Sequence, residues 1–153
     1  MNALELKIPP VALALLVGAA MWGVSAWAPA LAGPLPRLPA VALLLVLAGA
    51  LVALLGVASF RRAKTTVNPT TPGAASALVD SGIYRYTRNP MYLGLLLVLA
   101  GWGLWLAHAL ALLGLPAFVV YMNRFQIGPE ERALTALFGD VFTTYRHKVR
   151  RWI

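Results

Sequence analysis

Three short stretches of the chain carry side chains whose types and spacing suit chemistry. The first, Tyr84-Arg85-Tyr86-Thr87-Arg88-Asn89-Pro90-Met91-Tyr92, gathers two guanidinium groups, an amide and three phenols at the mouth of an apolar run. Pro90 suits the first turn of a helix, where free N–H groups favour negative charge. Arg88, Asn89 and Tyr92 therefore offer directional donors and acceptors to a polar or anionic ligand. The same residues also suit an interfacial belt of aromatic and basic side chains. The second stretch is Glu130-Glu131, with Asn123, Arg124 and Gln126 just ahead of it. Acids at a helix start complement the dipole, and adjacent carboxylates beside a membrane also make a receptor for a cation such as a sulfonium or an ammonium. The third is Gly101-Trp102-Gly103. Small residues in a membrane helix allow close helix packing, or let a cofactor approach the backbone, and their spacing does not choose between the two.

Other chemistries are excluded. The chain has no cysteine and two histidines, His108 and His147. A disulfide framework, a thiolate nucleophile and a thiolate-held metal are ruled out, and a histidine-rich metal cluster is not expected. No G-x-G-x-x-G follows a strand, and there is no P-loop and no H-E-x-x-H, which excludes a soluble doubly wound methyltransferase or dehydrogenase.

The elements that must position these residues are membrane helices. The chain is 60% hydrophobic and 12% charged, too apolar and too poor in charge for a soluble domain, so lipid is its solvent. Ile8 to Trp27 is an uncharged run long enough to cross the hydrocarbon core. A signal peptide with a small-residue site at Ala30-Leu31-Ala32 is the rival, but the run is long for one and Glu5 stands beside Lys7. Four prolines between Pro29 and Pro39 predict a turn, and Ala40 to Phe60 a second span, stopped by Arg61-Arg62-Ala63-Lys64. Residues 61–90 form a polar loop that cannot lie in lipid. Met91 to Met122 carries no formal charge; split near His108, it gives spans at about 91–107 and 109–125, each about 26 Å long at 1.5 Å per residue. From Pro129 the apolar positions Leu134, Leu137, Phe138, Val141, Phe142, Tyr145 and Val149 recur at helical spacing, predicting an amphipathic helix over 129–150 anchored by Trp152. The expected fold is thus an all-α, polytopic membrane helical bundle, one domain with about four transmembrane helices plus a C-terminal amphipathic helix. The net charge of +8 abuts the apolar spans, which the positive-inside rule explains without nucleic acid. Both termini and the loop are expected on the cytoplasmic side, in a bacterial inner membrane.

The segment Thr65-Thr66-Val67-Asn68-Pro69 … Leu78-Val79-Asp80-Ser81-Gly82-Ile83-Tyr84-Arg85-Tyr86-Thr87-Arg88-Asn89-Pro90-Met91-Tyr92-Leu93-Gly94 resembles the isoprenylcysteine carboxyl methyltransferase and phospholipid methyltransferase superfamily. So does Glu130-Glu131 … Leu134 … Phe138-Gly139 … Phe142 … Tyr145 … Val149. The resemblance runs from about residue 61 to the C-terminus. It implies an integral membrane methyltransferase using S-adenosyl-L-methionine, with the cofactor held by the last membrane helices and the C-terminal segment. It implies cofactor contacts at Tyr84, Arg88, Asn89, Pro90 and Tyr92, at Gly101 and Gly103, and at Glu130 and Glu131. It further makes Arg146, Lys148 and Arg150 candidates to meet an anionic group of the acceptor; Lys148, the position that matches the family's C-terminal arginine, is a point charge rather than a bidentate fork. The expected partners are a lipophilic small-molecule or lipid acceptor and the membrane lipids. Two other readings stand beside it: a membrane reductase of related fold using NADPH, and a non-catalytic scaffold that kept the fold.

Overall fold

The computed structural model describes residues 4–33, 35–64, 73 and 75–153. Among these the regular structure is entirely helical, with no strand. The α-helices are α1 Pro10–Trp27, α2 Pro39–Arg62, α3 Pro90–Leu106, α4 Gly114–Tyr121 and α5 Gly128–Lys148. Proline opens α1, α2 and α3, where its missing N–H breaks no bond and its fixed φ is already helical. α1 and α2 are long and apolar enough to cross a membrane, as is part of the helical run Leu110–Lys148, and α3 is a shorter apolar helix. The fold is a helical membrane bundle, as the apolar runs predict. Leu43, Leu44, Leu47, Leu51 and Leu54 of α2 stay exposed, a face whose natural solvent is lipid.

α3 is the central helix. A Cβ placed on Gly49 of α2 would lie 2.5 Å from the carbonyl oxygen of Gly94 in α3, and one on Gly94 equally close to the carbonyl of Gly49. The two backbones touch because neither residue has a side chain. On its other side α3 joins a core with α1 and α4 made of Leu13, Met21, Tyr92, Leu99, Phe118 and Met122. Trp102 Nε1 ties α3 to α1 by donating to the Gly18 carbonyl at 3.0 Å. The turn after α3 falls at His108, where the unbroken apolar run is expected to divide. His108 is buried, its Nε2 lies 2.9 Å from the Ala28 carbonyl, and the Ala109 N–H donates to Ala32. These contacts clasp the α1–α2 and α3–α4 connections together at the end of the bundle away from the polar loop.

The last third of the chain departs from expectation in two places. No break separates the fourth crossing from the terminal helix. A π-helical stretch, Met122–Ile127, carries the chain from α4 directly into α5. Pro129 has no N–H to give the Phe125 carbonyl four residues earlier, and the Leu6 N–H donates there instead, at 3.0 Å. A neighbouring strand of chain thus satisfies what the proline leaves open, and the helix need not end. The expected continuous helix over 129–150 is instead broken at Gly139, whose φ of 52° and ψ of −126° are open in practice only to glycine. Nothing stands within 4 Å of where its Cβ would be, so glycine is required there by backbone conformation alone. Beyond the break, Phe142 and Tyr145 pack with Val79 and Tyr84 in a second small core, and Tyr145 Oη donates to the Tyr84 carbonyl at 2.7 Å. The polar segment Thr65 to Pro72, which includes the Thr65-Thr66-Val67-Asn68-Pro69 motif, lies outside the described residues, as do Met1–Ala3, Pro34 and Ala74.

Candidate active site

Four pieces of chain meet at one end of the bundle: the turn Thr87–Asn89 with the first turn of α3, the π-helical stretch, the first turn of α5, and the terminal segment 149–152. The π-helical stretch, a feature frequent at functional sites, puts Asn123 and Gln126 beside this meeting point. Asn89 precedes Pro90 at the start of α3 but makes no side-chain cap. Its Nδ2 donates to the Arg151 carbonyl at 2.9 Å, and Thr87 Oγ1 reaches the same oxygen at 3.3 Å. The Arg88 N–H donates to the Arg150 carbonyl at 3.0 Å. The C-terminal segment is therefore bound to the loop before α3.

The two carboxylates of the pair have unlike surroundings. Glu131 is held by arginines: Arg151 grips it as a fork, Nη2 to Oε2 at 2.6 Å and Nε to Oε1 at 3.1 Å, and Arg88 Nη2 lies 3.1 Å from Oε1. Bidentate guanidinium–carboxylate geometry is strong and directional. Arg151 Nη1 and Trp152 Nε1 also donate to Asn123 Oδ1, at 3.3 and 3.1 Å. Glu130 has neutral partners only among the described residues: Tyr92 Oη and Gln126 Nε2 both donate to its Oε1 at 2.5 Å.

The electrostatics follow from that difference. Glu130 stands in the first turn of α5, past the fourth crossing. Burial pushes its carboxyl up to about 7, the hydrogen bonds from Tyr92 and Gln126 oppose the rise, and the charge of Glu131 adds to it. Burial also lowers the Arg88 guanidinium from its ordinary value, against the pull of Glu131. The Tyr84 and Tyr145 phenols are raised, in both cases mainly by burial. Arg88 keeps Nε and Nη1 buried without a hydrogen-bond partner among the described residues. Unpaired buried donors are costly, and here two of them belong to a cation already committed through its third nitrogen. The cluster thus offers a buried carboxylate without a cationic partner and a guanidinium with donors to spare, a set that suits a ligand bearing both charges.

Comparison with known proteins bears on that arrangement. The sequence matches the family described as Phospholipid methyltransferase over residues 38–141, from the start of α2 to just past the break at Gly139. The chain belongs to the phospholipid methyltransferase family. The match contains Arg88, Asn89, Tyr92 and both glutamates, and stops short of Arg151. An uncharacterised protein of Haemophilus influenzae is 51% identical over 63 residues, which is 41% of this chain and the whole of that protein. No solved structure matches.

The structure brings some of the expected site residues together and leaves others apart. Arg88, Asn89, Tyr92, Glu130 and Glu131 share the cluster, and Pro90 is buried as the first residue of α3. Tyr84 is buried with its ring edge-on to Phe60 at 5.5 Å, and its carbonyl takes the Tyr145 hydroxyl. Gly101 and Gly103 are elsewhere. They lie nine and eleven residues beyond Tyr92, about 14 and 16 Å along the helix axis at 1.5 Å per residue. A Cβ on Gly101 would meet the Ala42 carbonyl at 2.6 Å, and one on Gly103 would meet Leu112 at 2.6 Å; both are seats for neighbouring helices. Arg146, Lys148 and Arg150 are exposed. Lys148 lines a surface cavity of about 640 Å³ with Asp80, Arg85, Asp140 and Thr144, and none of the three pairs with the glutamates among the described residues. The basic residue that does is Arg151, which the sequence pattern does not single out. Arg146, Lys148, Arg150 and Arg151 are four Lys and Arg residues within six positions, and only the return of the terminal segment to the loop distinguishes one of them. Gln126 and Asn123 had a signal, their place just ahead of the paired acids.

Proposed function

We propose that this member of the phospholipid methyltransferase family binds S-adenosyl-L-methionine at the Arg88–Tyr92–Glu130 cluster and transfers its methyl group to a lipophilic or membrane-associated acceptor. The observation that carries this reading is the pairing of unlike needs in one place: Arg88 has two buried donors without acceptors, and Glu130 is a buried carboxylate without a cationic partner among the described residues. An α-amino-acid carboxylate would satisfy the first, and a cation the second. The cofactor, when bound, supplies a methyl group on a positively charged sulfur. The protein's part is to orient it and keep water away, and positioning of this kind can supply much of the acceleration. Arg88 holds the anionic end. Glu130 receives the cationic part, with Tyr92 and Gln126 fixing its orientation from Oε1. Glu131, held by two guanidinium groups, keeps the first turn of α5 in place.

The site belongs at the cytoplasmic face, by the basic residues that crowd the same end of the bundle. Arg61 and Arg62 close α2 there, next to the loop that carries Arg85 and Arg88, and such residues mark the cytoplasmic side. Leu6 and Trp152 lie at this end as well, Leu6 bonded to Phe125 and Trp152 to Asn123. The acceptor would approach sideways from the bilayer.

Calorimetric titration of the detergent-solubilised protein with S-adenosyl-L-methionine and S-adenosylhomocysteine tests the cofactor, and labelled-methyl transfer into membrane extracts, with mass spectrometry of the product, tests the reaction. Saturable binding of both ligands and a labelled lipophilic product are expected. Folded protein that binds neither, or that NADPH stabilises against heat while S-adenosylhomocysteine does not, would overturn the reading.

A further inference from the structure

Arg151 joins more of the site than any residue whose role the sequence suggests. Its side chain holds both oxygens of Glu131 and touches Asn123, while its carbonyl takes Asn89 Nδ2 and Thr87 Oγ1. The preceding carbonyl, that of Arg150, takes the Arg88 N–H. One residue near the C-terminus therefore links the loop before α3 to the π-helical stretch and the first turn of α5, from which α3 and α4 separate that loop in the chain. The linkage has an electrostatic consequence. Two adjacent glutamates left alone would share the attraction for a cation, and each would disfavour the charge of the other. With Arg88 and Arg151 on Glu131, that carboxylate is compensated and its two oxygens are occupied, while Glu130 keeps neutral partners.

We propose that Arg151 is the positioning residue of this site: it takes up the charge of Glu131, leaves Glu130 to face the cationic ligand, and fastens the terminal segment to the loop that carries Arg88. The receptor role of Glu130 rests on the methyl-transfer reading above; the fastening does not. Arg151 acts through Glu131 and the main chain and need not touch the ligand.

The test uses the full-length protein and the variants R151Q, R151K, E131Q and R151Q/E131Q. Hydrogen exchange without ligand reads the fastening, because the Arg88 amide is protected by the Arg150 carbonyl. Exchange at Arg88 should accelerate about tenfold or more in R151Q, the kinetic equivalent of losing one firmly held contact. R151K keeps the charge but loses the fork, so it should fall between wild type and R151Q, and it preserves the test if R151Q does not fold. Affinity for S-adenosyl-L-methionine reads the positioning. R151Q should weaken it about tenfold, and in the E131Q background the same change should add less than about threefold, the non-additivity of residues acting as a unit. Unchanged Arg88 exchange in R151Q, wild-type affinity for S-adenosyl-L-methionine in R151Q, or effects of R151Q and E131Q that simply multiply would each overturn the proposal. Wild-type protein with a protected Arg88 amide that binds neither S-adenosyl-L-methionine nor S-adenosylhomocysteine would remove the methyl-transfer reading and the receptor role of Glu130, while exchange alone would still decide the fastening.

Discussion

Where α2 meets α3, Gly49 and Gly94 bring two backbones together by having no side chains, and the residues concerned are read from two continuous apolar helices. Where α3 meets α5, Tyr92, Gln126 and Glu130 do the opposite: long polar side chains reach across a gap, and the terminal segment closes over them with Arg151. The first contact lies in the span, where water is absent and an unpaired polar group has no relief. The second lies at the rim, where a buried charge is costly unless it is paired. The bundle thus separates close backbone packing from polar side-chain contact, and places them at different depths.

That separation can be broken from either side. Gly94→Val should be the most severe change, because its new atoms would enter the Gly49 carbonyl; overpacking of this kind costs about 3 kcal/mol, and thermal unfolding in detergent should show a large loss or no folded protein. Glu130→Gln should leave folding intact, since an amide oxygen still accepts from Tyr92 and Gln126, yet weaken S-adenosyl-L-methionine about tenfold or more, roughly 1.4 kcal/mol. The neutral thioether S-adenosylhomocysteine should lose less, and equal losses would remove the cation-receptor role.

The pH dependence sharpens the same contrast. A cation binds the ionised carboxyl, so affinity for S-adenosyl-L-methionine should fall as pH drops below about 7, the value to which burial pushes Glu130, and Glu130→Gln should flatten the profile. Unliganded stability should move the other way. The folded carboxyl holds its proton above the usual carboxylate range, so between about 4.5 and 7 the native state binds more protons than the unfolded one, and this group favours folding more as pH falls. Gly139→Ala should cost about 1–3 kcal/mol, the strain of a backbone conformation reserved for glycine, with cofactor affinity altered less than stability. The smallest effect belongs to Arg132→Ala. Arg132 is 63% exposed where it pairs at 2.8 Å with Glu5, whose side chain is 8% exposed; with the arginine in solvent the pair contributes about 1 kcal/mol, so the melting temperature should shift by only a few degrees.

The fourth crossing shows how far the sequence reaches. Its existence follows from an uncharged run too long for one helix, and the turn at His108 follows from halving that run. Its end does not. Pro129 after Gly128 reads as a fresh helix start, because a proline's missing N–H leaves a carbonyl open; the structure fills that carbonyl with the Leu6 N–H, from more than a hundred residues earlier, and the helix continues. Gly139 was visible as part of a Phe-Gly motif, but a glycine in an amphipathic pattern does not declare a positive φ.

Hydropathy along the chain is enough to specify a helical membrane bundle and which residues are apolar enough to cross it, and charge patterning marks the polar motifs before α3 and at the start of α5 as candidates for chemistry. Those properties are local: hydropathy, helix starts and charge clusters act over a few turns of chain. It takes the folded chain to show that Gly101 and Gly103 seat helices about 14–16 Å from Tyr92 along the axis, that the two glutamates differ in charge compensation, and that Arg151 rather than Arg146, Lys148 or Arg150 completes the cluster. Each of those depends on which distant carbonyl or carboxylate a side chain meets, and no spacing along the chain carries that information.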